Sequence, residues 1–225
     1  MKKLLQDILD WSEVWVLLIP LIFMLRWKPQ LPYLKPIRIY IWVSIFLHLI
    51  INVIWRFKND FGFQEGDLLS SNNFIYNIVS IVRFLLFSWF FILLGQPFLA
   101  RVKKIIPLLF VIFLIINFLF FEDFFYYWSF SGKLLSLETG LLLLYCLQYY
   151  FFVLNEEHSS DKRPPSFWVV TGLSIYVVIN FPIFLFYRAF LKQFENFAVN
   201  IWDITNISFI LFCLFISKAF YESKH

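Results

Sequence analysis

Asn73-Phe74-Ile75-Tyr76-Asn77-Ile78-Val79-Ser80-Ile81-Val82-Arg83-Phe84-Leu85-Leu86-Phe87-Ser88-Trp89-Phe90-Phe91-Ile92-Leu93-Leu94 decides the fold of this chain. As a helix rising about 1.5 Å per residue it is about 33 Å long, enough to cross about 30 Å of hydrocarbon. A single charge, Arg83, lies about ten residues in, so about 15 Å deep. Asn73, Tyr76, Asn77, Ser80 and Arg83 recur at spacings of three and four, which places them on one face. Hydrocarbon does not solvate such a stripe, so it must turn toward other helices. The segment therefore requires a bundle around it.

The rest of the chain supplies one. Hydrophobic residues make up 61% of the 225 residues and charged ones 15%, against about 25% charged in a soluble domain. No soluble core of this size hides that much apolar surface. Seven runs read as spans: near 11–26, 37–56, 73–94, 105–121, 134–154, 167–190 and 198–221. The expected fold is all-α, one integral membrane domain of about seven transmembrane helices over 1–225, with lipid as its main partner. Breakers separate the spans. Pro29 and Pro32 cannot continue the first helix, Asn59-Asp60-Phe61-Gly62 ends the second, and Gly95-Gln96-Pro97 ends the third. Ser70, Ser71 and Asn72 offer N-cap oxygens to the third span. The stretch from Asn155 to Pro165 is the most polar and reads as a solvated loop. Lys2 and Lys3 ahead of apolar residues mimic a signal peptide, but Asp7, Asp10 and Glu13 interrupt the run, so the first span reads as retained.

Basic residues set orientation. Seven lie on the N-terminal side of the bundle and eleven on the other, where Arg26, Lys28, Lys35 and Arg38 crowd the first connection. The positive-inside rule predicts an outside N-terminus and a cytoplasmic C-terminus in an inner (plasma) membrane. The loop Glu122–Trp128, acidic and aromatic, then lies outside. The net charge of +4 is accounted for by these interface residues, and no separate basic stripe points to nucleic acid.

Candidate functional residues are the polar groups within spans. Arg83 reads as a ligand group for an anion, half of a switchable ion pair, or a structural charge with a fixed partner. Glu138 and Asp203 lie in the outer third of the fifth and seventh spans, within reach of its guanidinium. His48 reads as a packing histidine or a titrating sensor, with Asn52 one turn further out. Glu13 reads as a wetted residue near a helix end. Tyr76, Asn77 and Asn206 join Arg83, Glu138, Asp203 and His48 as the expected ligand or ion-pair pocket. Tyr145, Gln148 and Tyr149, with Thr171, Ser174 and Asn180, extend this to a polar cavity in the outer half. The alternative for all of them is polar glue between helices, at about 1 kcal/mol per contact.

No catalytic or metal set and no cofactor motif emerges. With three histidines a His-rich zinc site is disfavoured, and neither G-x-S-x-G nor H-E-x-x-H occurs. The last span has no mid-helix lysine for a retinal Schiff base, since Lys218 lies at its end. Cys146 and Cys213 read as buried packing thiols.

Seven spans, an outside N-terminus and a polar third span around Asn73, Asn77 and Arg83 resemble the seven-helix sensory membrane modules of bacteria. That resemblance implies a signalling role and a cytoplasmic partner such as a histidine kinase. No output domain follows Tyr221-Glu222-Ser223-Lys224-His225, so output is expected to pass to a separate protein. The other expectations are a permease for a small anion using Arg83, and a lipid-acting enzyme using Glu138 or Asp203 as acid or base. A membrane chain of this kind is expected to leave the membrane only with detergent; recovery of intact protein in a detergent-free aqueous extract would overturn the reading.

Overall fold

The computed structural model describes Leu9 and residues 11–57, 71–126, 128–155, 163–193 and 195–224; the side chains of 188 and 190–200 lie outside the description. The expected break at Asn59–Gly62, the cap at Ser70 and the loop residues 156–162 fall outside it as well. The described residues hold helices and no strand.

Six helices are long and apolar enough to cross a membrane. They belong to α3 (Lys35–Phe57), α4 (Asn73–Leu93), α5 (Ala100–Phe120), α6 (Gly132–Asn155), α7 (Pro165–Gln193) and α8 (Glu195–Glu222). These correspond to the second through seventh expected spans. The first is different. It consists of α1 (Ser12–Trp15) and α2 (Leu18–Trp27), separated at Val16-Leu17. Pro20 explains the break, because it has no N–H to donate to the carbonyl of Val16. Ile19 N–H takes that carbonyl instead at 3.1 Å, a tighter i→i+3 turn. At ten residues, α2 is about 15 Å long, half a bilayer core.

Helix ends follow the breakers. Lys28 ends α2 in the left-handed conformation at φ 44°, ahead of Pro29. Gly95, at φ 67°, turns the chain after α4, where a side chain would strain the backbone. Asn72 does not cap α4 through its side chain, which donates to the carbonyl of Ile51 at 3.4 Å; Ser71 Oγ accepts from Asn73 N–H at 3.3 Å. Helix α5 begins at Ala100, five residues before the expected start at 105. Lys103 is buried there, its ammonium donating to the Gln96 carbonyl at 3.2 Å. Capping by its own loop lets a cation sit inside the first turn.

The core is aromatic. Tyr40, Phe87, Phe90 and Phe212 are fully enclosed, and Tyr40 meets Phe87 edge-on at 5.1 Å. Such pairs add about 0.5–1.5 kcal/mol beyond burial. Outward-facing residues are apolar too: Phe46, Leu108, Leu119 and Phe120 are all exposed, a surface that suits lipid and not water. The most extensive pairing is α7 with α8, followed by α6 with α7, while α2 rests on α8. Helix α5 stands apart: 17% of its most apolar stretch is buried, against 39–56% in the other five. An apolar groove of about 740 Å³ opens between α5, α6 and α7, with Lys133 and Glu122 at its rim.

Gly172 lets α7 and α8 approach. A Cβ there would lie 2.5 Å from Cβ of Phe215 and 3.3 Å from the carbonyl of Phe212. At Gly140 the nearest atom is the Phe181 ring edge at 3.1 Å, which can rotate away. Gly172→Ala is therefore expected to destabilise the bundle by about 1–3 kcal/mol. Gly140→Ala is expected to cost less, since a helical glycine exchanged for alanine gains about 0.5–1 kcal/mol. Unfolding of the purified protein in detergent micelles measures both; equal effects would contradict this packing account.

Candidate functional site

Two polar clusters lie within the bundle, one above the other. The deeper one joins α4, α6 and α7. Arg83 is the eleventh of 21 residues in α4, and its face points inward. Its Nε donates to Glu138 Oε1, and its Nη2 donates to Oε2 at 2.9 Å. Ser80, one turn earlier on the same face, donates its hydroxyl to Oε2 at 2.6 Å. The Tyr176 ring of α7 lies 4.8 Å from the guanidinium carbon. Glu138 is wholly buried and Arg83 nearly so. This is a closed ion pair: the fork of the guanidinium matches both carboxylate oxygens, and a hydroxyl and a ring face complete the shell.

The shallower cluster joins α1, α3 and α4. Glu13 Oε2 accepts the Tyr76 hydroxyl at 3.1 Å and lies 3.1 Å from His48 Nδ1. With Glu13 ionised, Nδ1 carries the proton and Nε2 is left as an acceptor. Glu13 is 7% exposed and His48 4%, and His48 Nε2 has no hydrogen-bond partner among the described residues. Asn52 does not reach outward; it donates to the carbonyl of His48 at 2.9 Å.

Two cavities connect these groups. A small one of about 30 Å³ lies between the clusters, bordered by Glu13, His48, Tyr76, Arg83, Tyr176 and Thr205. That is about one water. A larger one of about 160 Å³ lies beyond Glu13, bordered by Glu13, Asn52, Trp55, Asn72, Tyr76 and Trp202. Glu13, Tyr76 and Trp202 belong to both and form the partition.

The expected pocket residues thus separate. Arg83 and Glu138 meet, and His48 and Tyr76 meet across Glu13. Asn77 turns to the loop after α5, donating to the Phe124 carbonyl at 3.0 Å and accepting from Ser131 N–H at 2.9 Å. Asn206 donates to the Leu9 carbonyl at 3.2 Å and tethers the chain before α1. Asp203 is half-buried on α8, next to Trp202. The polar side chains further along α6 and α7 act as glue away from both cavities. Tyr145 donates to the Lys103 carbonyl at 2.8 Å, Gln148 to the Phe98 carbonyl, and Tyr150 to Thr171 at 3.2 Å. Asn180 donates to Ser208 at 2.7 Å, joining α7 to α8.

Glu13 is the residue that sequence reasoning set aside. It is buried, not wetted, because α1 packs against α8 and α3. In the expected spans Glu13 stands two residues from the outer end and His48 eight, so spacing did not pair them. Among the described residues, no three His, Cys, Asp or Glu side chains gather as metal ligands would.

A buried pair resists losing one member more than losing both. Arg83→Leu or Glu138→Leu alone is expected to destabilise the protein by about 3–5 kcal/mol. The double substitution is expected to cost much less than either, because no uncompensated charge remains. Unfolding in micelles with a double-mutant cycle reads the coupling; additive effects would show that the pair is not linked as described.

Comparison with protein-family models, with curated proteins and with solved structures yields no match.

Proposed function

We propose that this protein is a membrane sensory module whose responsive element is the Glu13–His48–Tyr76 cluster, with output at the opposite, basic end of the bundle. One observation carries this reading: His48, buried and bonded to a carboxylate on another helix, keeps one ring nitrogen unpartnered beside a water-sized cavity. An imidazole is the side chain that changes charge in the physiological pH range. Proton uptake from the cavity turns the His48–Glu13 hydrogen bond into an ion pair and draws α1 against α3.

The broken first helix supports a mechanical route. Movement of α1 passes through Val16 and Leu17, whose backbone keeps helical dihedrals, to α2, which lies on α8. The far end of α2 meets the far end of α8 through Trp27 and Tyr221, edge-on at 5.5 Å. Cations stack on rings at that same end: Arg26 on Trp27, Lys35 on Trp89 and Lys218 on Trp168. Such pairs suit a cytoplasmic interface. In our reading the N-terminus is outside, the broken helix is the first of seven crossings of the plasma membrane, and a separate signalling protein reads the basic end. Closure of Arg83 on Glu138 favours this reading over an anion permease, since the arginine charge is already neutralised.

Spin labels at Arg26 and Leu93 report movement of α2 against α4 in lipid nanodiscs. Acidification from about pH 8 to about pH 5 is expected to shift the distance distribution. His48→Gln, which keeps a polar side chain without the charge change, is expected to remove the shift. An unchanged wild-type distribution, or a shift that survives His48→Gln, sinks the proposal.

A further inference from the structure

The larger cavity has a composition of its own. One carboxylate, Glu13, faces it, and no lysine or arginine is among its described lining residues. Three rings, Trp55, Tyr76 and Trp202, form its walls, and Tyr76 and Trp202 stand at 89° to one another with centroids 5.5 Å apart. Two amides, Asn52 and Asn72, complete it. With His48 neutral, the described residues balance the Glu13 charge only by hydrogen bonds from His48 and Tyr76, a costly state for a buried carboxylate. Besides protonation of Glu13 itself, two cations relieve that cost: a proton on His48, or a cation in the cavity.

The walls select the second kind of cation. Calcium and magnesium need six or more oxygen ligands, which one carboxylate and two amides do not provide. Rings face best a cation of diffuse charge and weak hydration, as in aromatic cages for quaternary ammonium groups. The volume of about 160 Å³ equals about five waters at about 30 Å³ each, which suits an ammonium ion of about five heavy atoms. Trp55 is half exposed, so the cavity has an entrance at its flank.

We infer that this cavity binds a small organic cation of the ammonium class, held by Glu13 and the three rings, in competition with a proton on His48. The inference rests on the sensory reading for its consequence, since both use Glu13, and it supplies that reading with a ligand class. Among the described residues, the groups facing His48 come from four helices. Glu13 comes from α1, Tyr76 and Arg83 from α4, and Tyr176 from α7, while α8 presents Trp202, Thr205 and Phe209, none of which titrates near neutrality. Arg83 is closed on Glu138, so the competing charges are those of Glu13 and His48. Cation and proton are therefore antagonists: the cation holds α1 away from the ion-paired position that the proton stabilises.

Isothermal calorimetry of the intact protein in nanodiscs, titrated with tetramethylammonium chloride at about pH 8, tests this. Saturable binding is expected, with sodium chloride at equal ionic strength and uncharged tert-butanol giving none. Glu13→Gln keeps an acceptor oxygen for His48 and Tyr76, and Trp55→Leu alters a half-exposed wall; each is expected to weaken binding by about tenfold or more. Affinity is expected to fall on acidification in the wild type and to fall less in His48→Gln. Equal heat from sodium chloride or tert-butanol, undiminished binding by Glu13→Gln, or an identical pH dependence in His48→Gln overturns the inference. The spin-label shift with pH needs no added cation. Its loss with binding intact sinks the sensory reading alone, and its presence without binding sinks the cation site alone.

Discussion

Arg83 and Glu138 meet where water is scarce, and that contact constrains the arrangement of every helix around it. Each charge alone would be costly to bury in hydrocarbon. Together they demand that α4 and α6 lie side by side with one particular register, since a shift of one residue turns the guanidinium away from the carboxylate. Ser80 and Tyr176 tighten the demand by adding a second group from α4 and one from α7. A buried pair of this kind adds little net stability over a well-packed apolar contact. Its effect is on which arrangement is reached. In lipid, where apolar side chains gain little by leaving the solvent for each other, such directional contacts decide how helices assemble.

The two clusters differ in completeness, and the difference assigns their roles. Around Glu138 both oxygens are engaged by Arg83, Ser80 adds a third hydrogen bond, and the small cavity borders Arg83 and Tyr176 but not the carboxylate. Around Glu13 the shell is built from a histidine with an unused nitrogen, a phenol, and a cavity lined with rings. A closed shell fixes geometry. In the proposed reading an open one responds to what enters, and the fixed pair, about one water's volume away, is its floor.

The long helices were legible from length and composition, because a bilayer leaves a chain of this hydropathy few alternatives. The inward face of α4 was legible from the three-and-four spacing that ends at Arg83. Glu138 was one of two candidate partners, and helix spacing alone does not choose between carboxylates on different helices. Four features escaped for a common reason: each depends on where a helix begins or on the chain beside its end. Pro20 loosens the hydrogen bonding between α1 and α2, and Glu13 at that end packs inside against His48. Lys103 looked like a loop cation until its own loop capped it within α5. Asn77 shares a stripe with Arg83, yet at the end of a helix the same face looks onto the following loop. Asn206, similarly, is claimed by the chain ahead of α1.

Helix α5 is fastened mainly at its extremities. Tyr145 and Gln148 grip the carbonyls at one end, Asn117 and Ser131 meet Glu122 at the other, and Phe84 touches Phe110 between them. Behind the rest of it lies the apolar groove. At 21 residues it is about 31 Å long, close to one hydrocarbon thickness. A rod clamped at both ends with a compliant filling beside it cannot slide when the bilayer thins; it has to bow, and the groove is the direction in which it yields.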